Sequence, residues 1–284
     1  MHLRIIPFLL VAAWTGLLGA ADAVPSEKKT NEVAAPIFID RNLEKAVRRQ
    51  VFEKRDNDKP ITEADVFNIA VLQGAGLEIT NLAGLEKCVS LAELDLPRNR
   101  IADLTPLKNL KRLQSLTLSD NRISDLSPLV ELTALQYLDL SRNQVKALQP
   151  LAGLTNLASL YLGGNQVSDL APVANLNRLS SLYLEGNRLE NMTAVSGLKN
   201  LSILSLSTNS VSELTPLRGL NNLSMLFLER NKIKDLAPLA EMARADKEQR
   251  FAPFWKIYLK GNPLAGAAKK QIQTIEETGG QVVK

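Results

Sequence analysis

Between Leu91 and Asn231 one string of hydrophobic and polar positions, L-x-x-L-x-L-x-x-N, recurs every 22 residues. The copies read LAELDLPRN (91–99), LQSLTLSDN (113–121), LQYLDLSRN (135–143), LASLYLGGN (157–165), LSSLYLEGN (179–187), LSILSLSTN (201–209) and LSMLFLERN (223–231). Leucine alternating with a variable residue in L-x-L has the period of a β-strand, so each unit predicts one short strand with its leucines on a single side. A lone unit cannot bury that side, and neighbours must pile up to close a core. The second half of each unit, I-x-D-L-x-P-L-x-x-L as in 101–110 and 123–132, has room for little more than a helical turn. Hydroxyls before proline in Thr105-Pro106, Ser127-Pro128 and Thr215-Pro216 are expected to cap those turns. Asp103, Asp125, Asp169 and Asp235 recur just ahead of them and read as local caps rather than a metal column. The expected fold is therefore an α/β solenoid: a parallel β-sheet on the concave side and short 3₁₀ or helical turns on the convex side.

A further segment, KIYLKGN, ends at Asn262, which lies 31 residues after Asn231 and implies an insertion of nine residues within the region 240–250. A degenerate unit precedes the array through Ile79, Leu82 and Leu85, and its alignment puts Cys88 in an inward leucine column as a buried thiol. The asparagines Asn99, Asn121, Asn143, Asn165, Asn187, Asn209, Asn231 and Asn262 sit where the chain leaves each strand. Having both an acceptor and a donor, they are expected to form a structural ladder that satisfies turn backbone.

Outside the array, residues 1–23 read as a signal peptide: Arg4, an apolar run from Ile5 to Leu18, and Ala21-Asp22-Ala23 before the cleavage point. That run is too short to span a bilayer. Residues 24–35 read as a flexible leader, 36–68 as a helical N-terminal cap with a capping box at Thr62 and Asp65, 69–262 as about nine coils, and 263–284 as a C-terminal helical cap stopped by Gly279-Gly280. The expected product is exported to a periplasm or to the extracellular space, with no transmembrane anchor after cleavage.

The 22-residue repeats with N-x-I-x-D-L-x-P-L resemble the leucine-rich repeats of the bacterial internalins, and also those of the leucine-rich-repeat regulator of protein phosphatase 1, over about 41–284. The resemblance implies a leucine-rich-repeat horseshoe of bacterial, internalin-like type that recognises a protein with its concave face. The phosphatase regulator works inside the cell, which fits poorly with a signal peptide. No LPxTG-type sorting signal is present and no immunoglobulin-like domain follows the repeats, so cell-wall attachment is not expected.

Composition narrows the function. The signal peptide takes away His2, the one histidine, and leaves the net charge at +4. Without histidine the commonest general base and metal ligand is missing, so neither catalysis nor a cofactor or metal is expected. Mixed charge signs argue against nucleic acid. With one cysteine no intrachain disulfide can form.

The variable positions beside the strand leucines face the concave surface. One column reads Asp95, Thr117, Asp139, Tyr161, Tyr183, Ser205, Phe227 and Tyr258, and the other Glu93, Ser115, Tyr137, Ser159, Ser181, Ile203, Met225 and Lys256. All four tyrosines of the chain fall on this surface. Tyr137, Tyr161, Tyr183, Ile203, Met225, Phe227 and Tyr258 are the expected partner-binding strip, with Asp139, Arg142, Glu185 and Arg230 among its charged rim. The expected ligand is a protein; the alternatives are a glycan, because aromatic faces also stack on sugars, and a passive envelope protein with no specific ligand. Gly163, Gly164 and Gly186 either admit a close partner or relieve crowding at the turn. The N-x-S/T triplets at Asn191, Asn200 and Asn222 carry no meaning in a bacterial setting.

Overall fold

The computed structural model describes residues 36–246, 248 and 255–284. The expected signal peptide and leader, and residues 247, 249 and 250 of the insertion, lie outside the described residues. Ten strands of three residues each form one parallel sheet in chain order. They are β1 (Val71–Gln73), β2 (Glu93–Asp95), β3 (Ser115–Thr117), β4 (Tyr137–Asp139), β5 (Ser159–Tyr161), β6 (Ser181–Tyr183), β7 (Ile203–Ser205), β8 (Met225–Phe227), β9 (Lys256–Tyr258) and β10 (Gln281–Val283). The sheet is open, and its register pairs equivalent residues of successive coils, Leu94 with Leu116 and Leu116 with Leu138, for example. The middle residues of β1 to β9 are fully buried, and the leucines one coil apart make a continuous core from Leu72 to Ile257.

On the opposite side the chain turns through 3₁₀ segments, among them Thr105–Leu107, Ser127–Leu129 and Thr215–Leu217. The expected hydroxyl caps are absent here: these residues stand inside the turn as its first position, and none of the three segments has a side-chain cap on the residue before it. The aspartates two residues upstream take that part. Asp103 and Asp125 accept the N–H groups of Thr105 and Ser127 at 2.8 and 2.9 Å, and Asp169 and Asp235 do the same for Ala171 and Ala237 at 2.8 and 3.0 Å. A carboxylate reaches the backbone two residues on without leaving its coil, and the Ser127 hydroxyl, already inside the turn, itself donates to Asp125 at 2.8 Å.

The eight asparagines stitch coil to coil. Asn121 Oδ1 accepts the Ile101 N–H at 2.9 Å, and its Nδ2 donates to the carbonyls of Leu96 and Leu118, both at 3.0 Å. Asn262 does the same across the insertion, taking the Ile233 N–H and donating to Leu228 and Leu259. One residue ahead of the ladder the backbone is left-handed in coil after coil, at Arg98, Asp120, Arg142, Gly164, Gly186, Thr208 and Arg230.

Both ends of the stack are covered. α1 (Arg41–Arg48) starts at Asp40, whose Oδ1 caps the N–H groups of Asn42 and Leu43 while Oδ2 accepts from the Thr80 N–H and hydroxyl and the Asn81 N–H. α2 (Glu63–Val66) follows Thr62, whose N–H and hydroxyl both donate to Asp65. After β8, α3 (Ala237–Ala245) replaces the usual 3₁₀ turn and packs on α4 (Ala268–Glu277). The C-terminal segment is not helical to its end: Gly279, at φ 94°, reverses the chain, and the β-branched pair Val282-Val283 then lies along β9 as a tenth strand. Gly280 sits against Ile275 and the buried ring of Trp255, where a side chain would collide.

Candidate docking face

The residues on either side of each buried strand leucine point away from the core. Register therefore sets Gln73, Asp95, Thr117, Asp139, Tyr161, Tyr183, Ser205, Phe227, Tyr258 and Val283 in one row across the sheet. Parallel neighbours lie about 4.8 Å apart, near the separation at which aromatic rings stack. Tyr161 and Tyr183 use that spacing, with centroids 4.5 Å apart and planes 8° from parallel. Phe227 and Tyr258 do so at 4.6 Å and 12°, in spite of the insertion between their strands. Tyr137 stands in the other row and leans on Tyr161 at 5.3 Å and 40°. The strip thus has two aromatic groups, Tyr137–Tyr161–Tyr183 and Phe227–Tyr258, parted by β7, where Ser205 is buried and Ile203 half-buried. Met225 is the most open member, at 36% exposure, and the rings are half-buried against one another.

Charge is segregated along the face. Glu93, Asp95 and Asp139 occupy β2 and β4; Lys256 is on β9, and Lys260 and Arg230 line a cavity of about 300 Å³ with Tyr258 and Glu229. Burial, together with the Glu93 and Asp139 carboxylates, raises the pKa of Asp95 above the usual carboxylate range. The Tyr137 phenol is pushed up to about 12 by burial first and by Asp139, Tyr161 and Asp95 after it. Burial and the neighbouring Tyr183 also raise Tyr161.

The rim is more self-engaged than its residue types suggest. Arg142 grips Asp120 of the previous coil with two bonds of 2.5 Å, which lowers the Asp120 pKa. Glu185 lies over Gly163, where a Cβ would come within 2.2 Å of its Oε1, and its buried Oε2 has no hydrogen-bond partner. Gly163 is therefore space for Glu185, while Gly164 and Gly186, at φ 69° and 66°, occupy the left-handed column. Cys88 is fully buried, and burial pushes its thiol up to about 12. Among the described residues no cluster of His, Cys, Asp or Glu could hold a metal ion.

Two stretches, 111–153 and 155–199, match the family described as leucine-rich repeats (2 copies). Internalin C2 of Listeria monocytogenes is 33% identical, with a TM-score of 0.70 over 81% of this chain and 95% of that one. The chain belongs to the internalin-like leucine-rich-repeat proteins. Internalin F of the same organism shares the fold at 23% identity and a TM-score of 0.54, covering 87% of this chain and 89% of that one. A leucine-rich-repeat protein of Leptospira interrogans shares it at 23% identity and a TM-score of 0.63, over 73% of this chain and 58% of that one. A search of curated protein sequences returned no match. Membership makes the repeat array an interaction scaffold by architecture, and no described helix is long and apolar enough to cross a membrane.

Sequence reasoning missed three supports of this face. Trp255 anchors the start of β9 from inside the core, Asp40 joins the N-terminal cap to the first coil, and β10 extends the face by one strand. A tryptophan two residues before an L-x-L-like segment was the available signal for the first.

Proposed function

We propose that this internalin-like chain is an exported, non-catalytic scaffold that captures a partner protein on the strip formed by Tyr137, Tyr161, Tyr183, Ile203, Met225, Phe227 and Tyr258. The observation that supports this most is the stacking of Tyr161 on Tyr183 and of Phe227 on Tyr258. Rings already fixed by one another offer a large contact area and lose little freedom when a partner arrives. A protein core does not need them there, because the leucines behind the sheet close it without their help.

The test compares the secreted chain with its Tyr161→Ala/Tyr183→Ala variant as bait for proteins of its native envelope. Loss of the captured protein with an unchanged far-ultraviolet dichroism spectrum is the expected result; equal capture by a folded variant overturns the reading. Binding on a glycan array that disappears in the same variant would instead assign the strip to sugars. Export is tested by sequencing the secreted protein, which should begin at Val24.

A further inference from the structure

Carboxylates recur on every second coil in the first half of the face. Glu93 and Asp95 stand on β2, Asp139 on β4, and Glu185 two residues past Tyr183, in the turn after β6. Between them β3 carries Ser115 and Thr117, and β5 carries Ser159 and Tyr161. At the strand spacing the acidic positions follow one another at about 10 Å. Elsewhere in the array exposed acids are answered from a neighbouring coil, as Glu78 is by Arg100, Glu131 by Lys111 and Asp120 by Arg142. Among the described residues none of these four face carboxylates has an ion pair. Arg142 feels both Asp139 and Glu185, but its guanidinium is held by Asp120, and Arg98 at the rim acts on Asp120 as well.

The stacked tyrosines stand inside this run. Asp139 is the register partner of Tyr161 on the β4 side, and the Glu185 carboxylate reaches back over Gly163, two residues past Tyr161. Two carboxylates therefore bracket the stack. Tyr137 leans on Tyr161, whereas Tyr183 has Ser205 as its register partner on β7, so its outer face carries no second ring.

We propose that this half of the face receives a basic segment of the partner polypeptide. One arginine or lysine side chain lies against the Tyr161–Tyr183 pair between Asp139 and Glu185, and further basic side chains reach Asp95 and Glu93. An aromatic face attracts a cation through its quadrupole, and a carboxylate at its edge pairs with the same charge. Two features of the free protein favour the arrival of a cation. Glu185 has one oxygen buried without a hydrogen-bond partner, so neither water nor protein answers its charge there. Asp95 is pressed by Glu93 and Asp139, which add to burial in raising its pKa. Arg230, Lys256 and Lys260 lie beyond β7 and repel the same segment, which confines it to β2–β6. The proposal rests on the partner-binding reading of the strip and names the chemistry of what the strip holds.

The test is isothermal titration calorimetry of the secreted chain with octa-arginine, and with octa-glutamate for comparison. An extended octapeptide reaches about 26 Å, enough for the roughly 19 Å from β2 to β6. Octa-arginine is expected to bind, more weakly as salt is raised, and octa-glutamate is not. Asp139→Asn/Glu185→Gln should weaken octa-arginine about ten-fold. Both replacements keep the side-chain shape, and the asparagine retains the oxygen that accepts the Ser141 N–H. Glu131→Gln/Glu213→Gln removes two carboxylates on the turn side of the coils and should bind as the wild type does. Unchanged binding by Asp139→Asn/Glu185→Gln overturns the proposal, and so does an equal loss in Glu131→Gln/Glu213→Gln. Capture from the native envelope separates this proposal from the wider reading. A protein kept by Asp139→Asn/Glu185→Gln but lost by Tyr161→Ala/Tyr183→Ala overturns the basic segment and leaves the partner-binding reading standing.

Discussion

Tyr161 and Tyr183 are direct register partners on β5 and β6, and their rings overlap at 4.5 Å and 8°. Side chains in the same row of a parallel sheet are held at the strand spacing, so a second aromatic in the next coil falls into stacking distance without any special rotamer. The interaction should therefore be measurable in the free protein. A double-mutant cycle on Tyr161→Ala and Tyr183→Ala, read by urea denaturation, is expected to give a coupling of about 0.5–1.5 kcal/mol. A coupling of zero would mean that the rings lie together without mutual stabilisation.

The asparagine ladder predicts a different kind of loss. Asn143 is 8% exposed, accepts the Ile123 N–H at 2.9 Å and donates to the carbonyls of Leu118 and Leu140 at 2.9 and 3.0 Å. Asn143→Ala leaves a buried donor and acceptors unpaired, at about 1–3 kcal/mol per group not rescued by water. Urea melts should show a destabilisation of roughly that size, while the partner affinity of the remaining folded protein is unchanged. Asn143→Asp should cost a comparable amount, because it keeps the acceptor for Ile123 and removes the bonds donated to Leu118, Leu140 and Ser141.

The repeat array was legible because its signal is redundant. A spacing of 22 residues that returns from β1 to β8 places the leucines, the ladder and both face rows there from the sequence alone. What stayed hidden depended on single, long-range contacts. β10 depends on Gly280, whose missing side chain leaves room for Ile275, Asp40 reaches Thr80 across forty positions, and neither leaves a periodic trace. The rim shows the same limit. Arg142 and Glu185 have the residue types of contact residues, but their engagement with Asp120 and Gly163 is set by the neighbouring coil. Capping by Asp103 and its equivalents was legible, whereas the part also expected of Thr105 fails because that residue is already the first position of its turn.

Asp40 makes the N-terminal cap sensitive to acid. Burial raises its pKa, but hydrogen bonds from Thr80, Leu43 and Asn81 outweigh that and the net value is lowered. A carboxylate depressed in the folded state contributes stability above its unfolded value, near 3.8, and loses it as pH falls through the lower folded value. Asp40→Ala is expected to cost about 0.5–2 kcal/mol at pH 7, the usual range for a helix cap. Amide exchange in α1 and around Thr80 should rise together in this variant. Exchange confined to α1 would show that the link to the first coil carries none of the effect.

Asp95 has the opposite sign. Burial, then Glu93, then Asp139 raise its folded pKa, so the folded state holds the proton more tightly than the unfolded chain does. The resulting stability is complete below the unfolded value near 3.8 and is lost as pH rises through the raised one. At neutral pH the isolated chain therefore keeps a repelled carboxylate on its face. Asp95→Asn removes that repulsion and should raise the melting temperature at pH 7, with no gain at pH 3, where the wild-type carboxyl is already largely neutral. Glu93→Gln should shift stability in the same direction by relieving Asp95 from one side. Equal gains at both pH values would attribute the change to packing and not to charge. If neutralising Asp95 instead weakens the protein at pH 7, then a cation already offsets it there, and the acidic end of the face is not free to receive one.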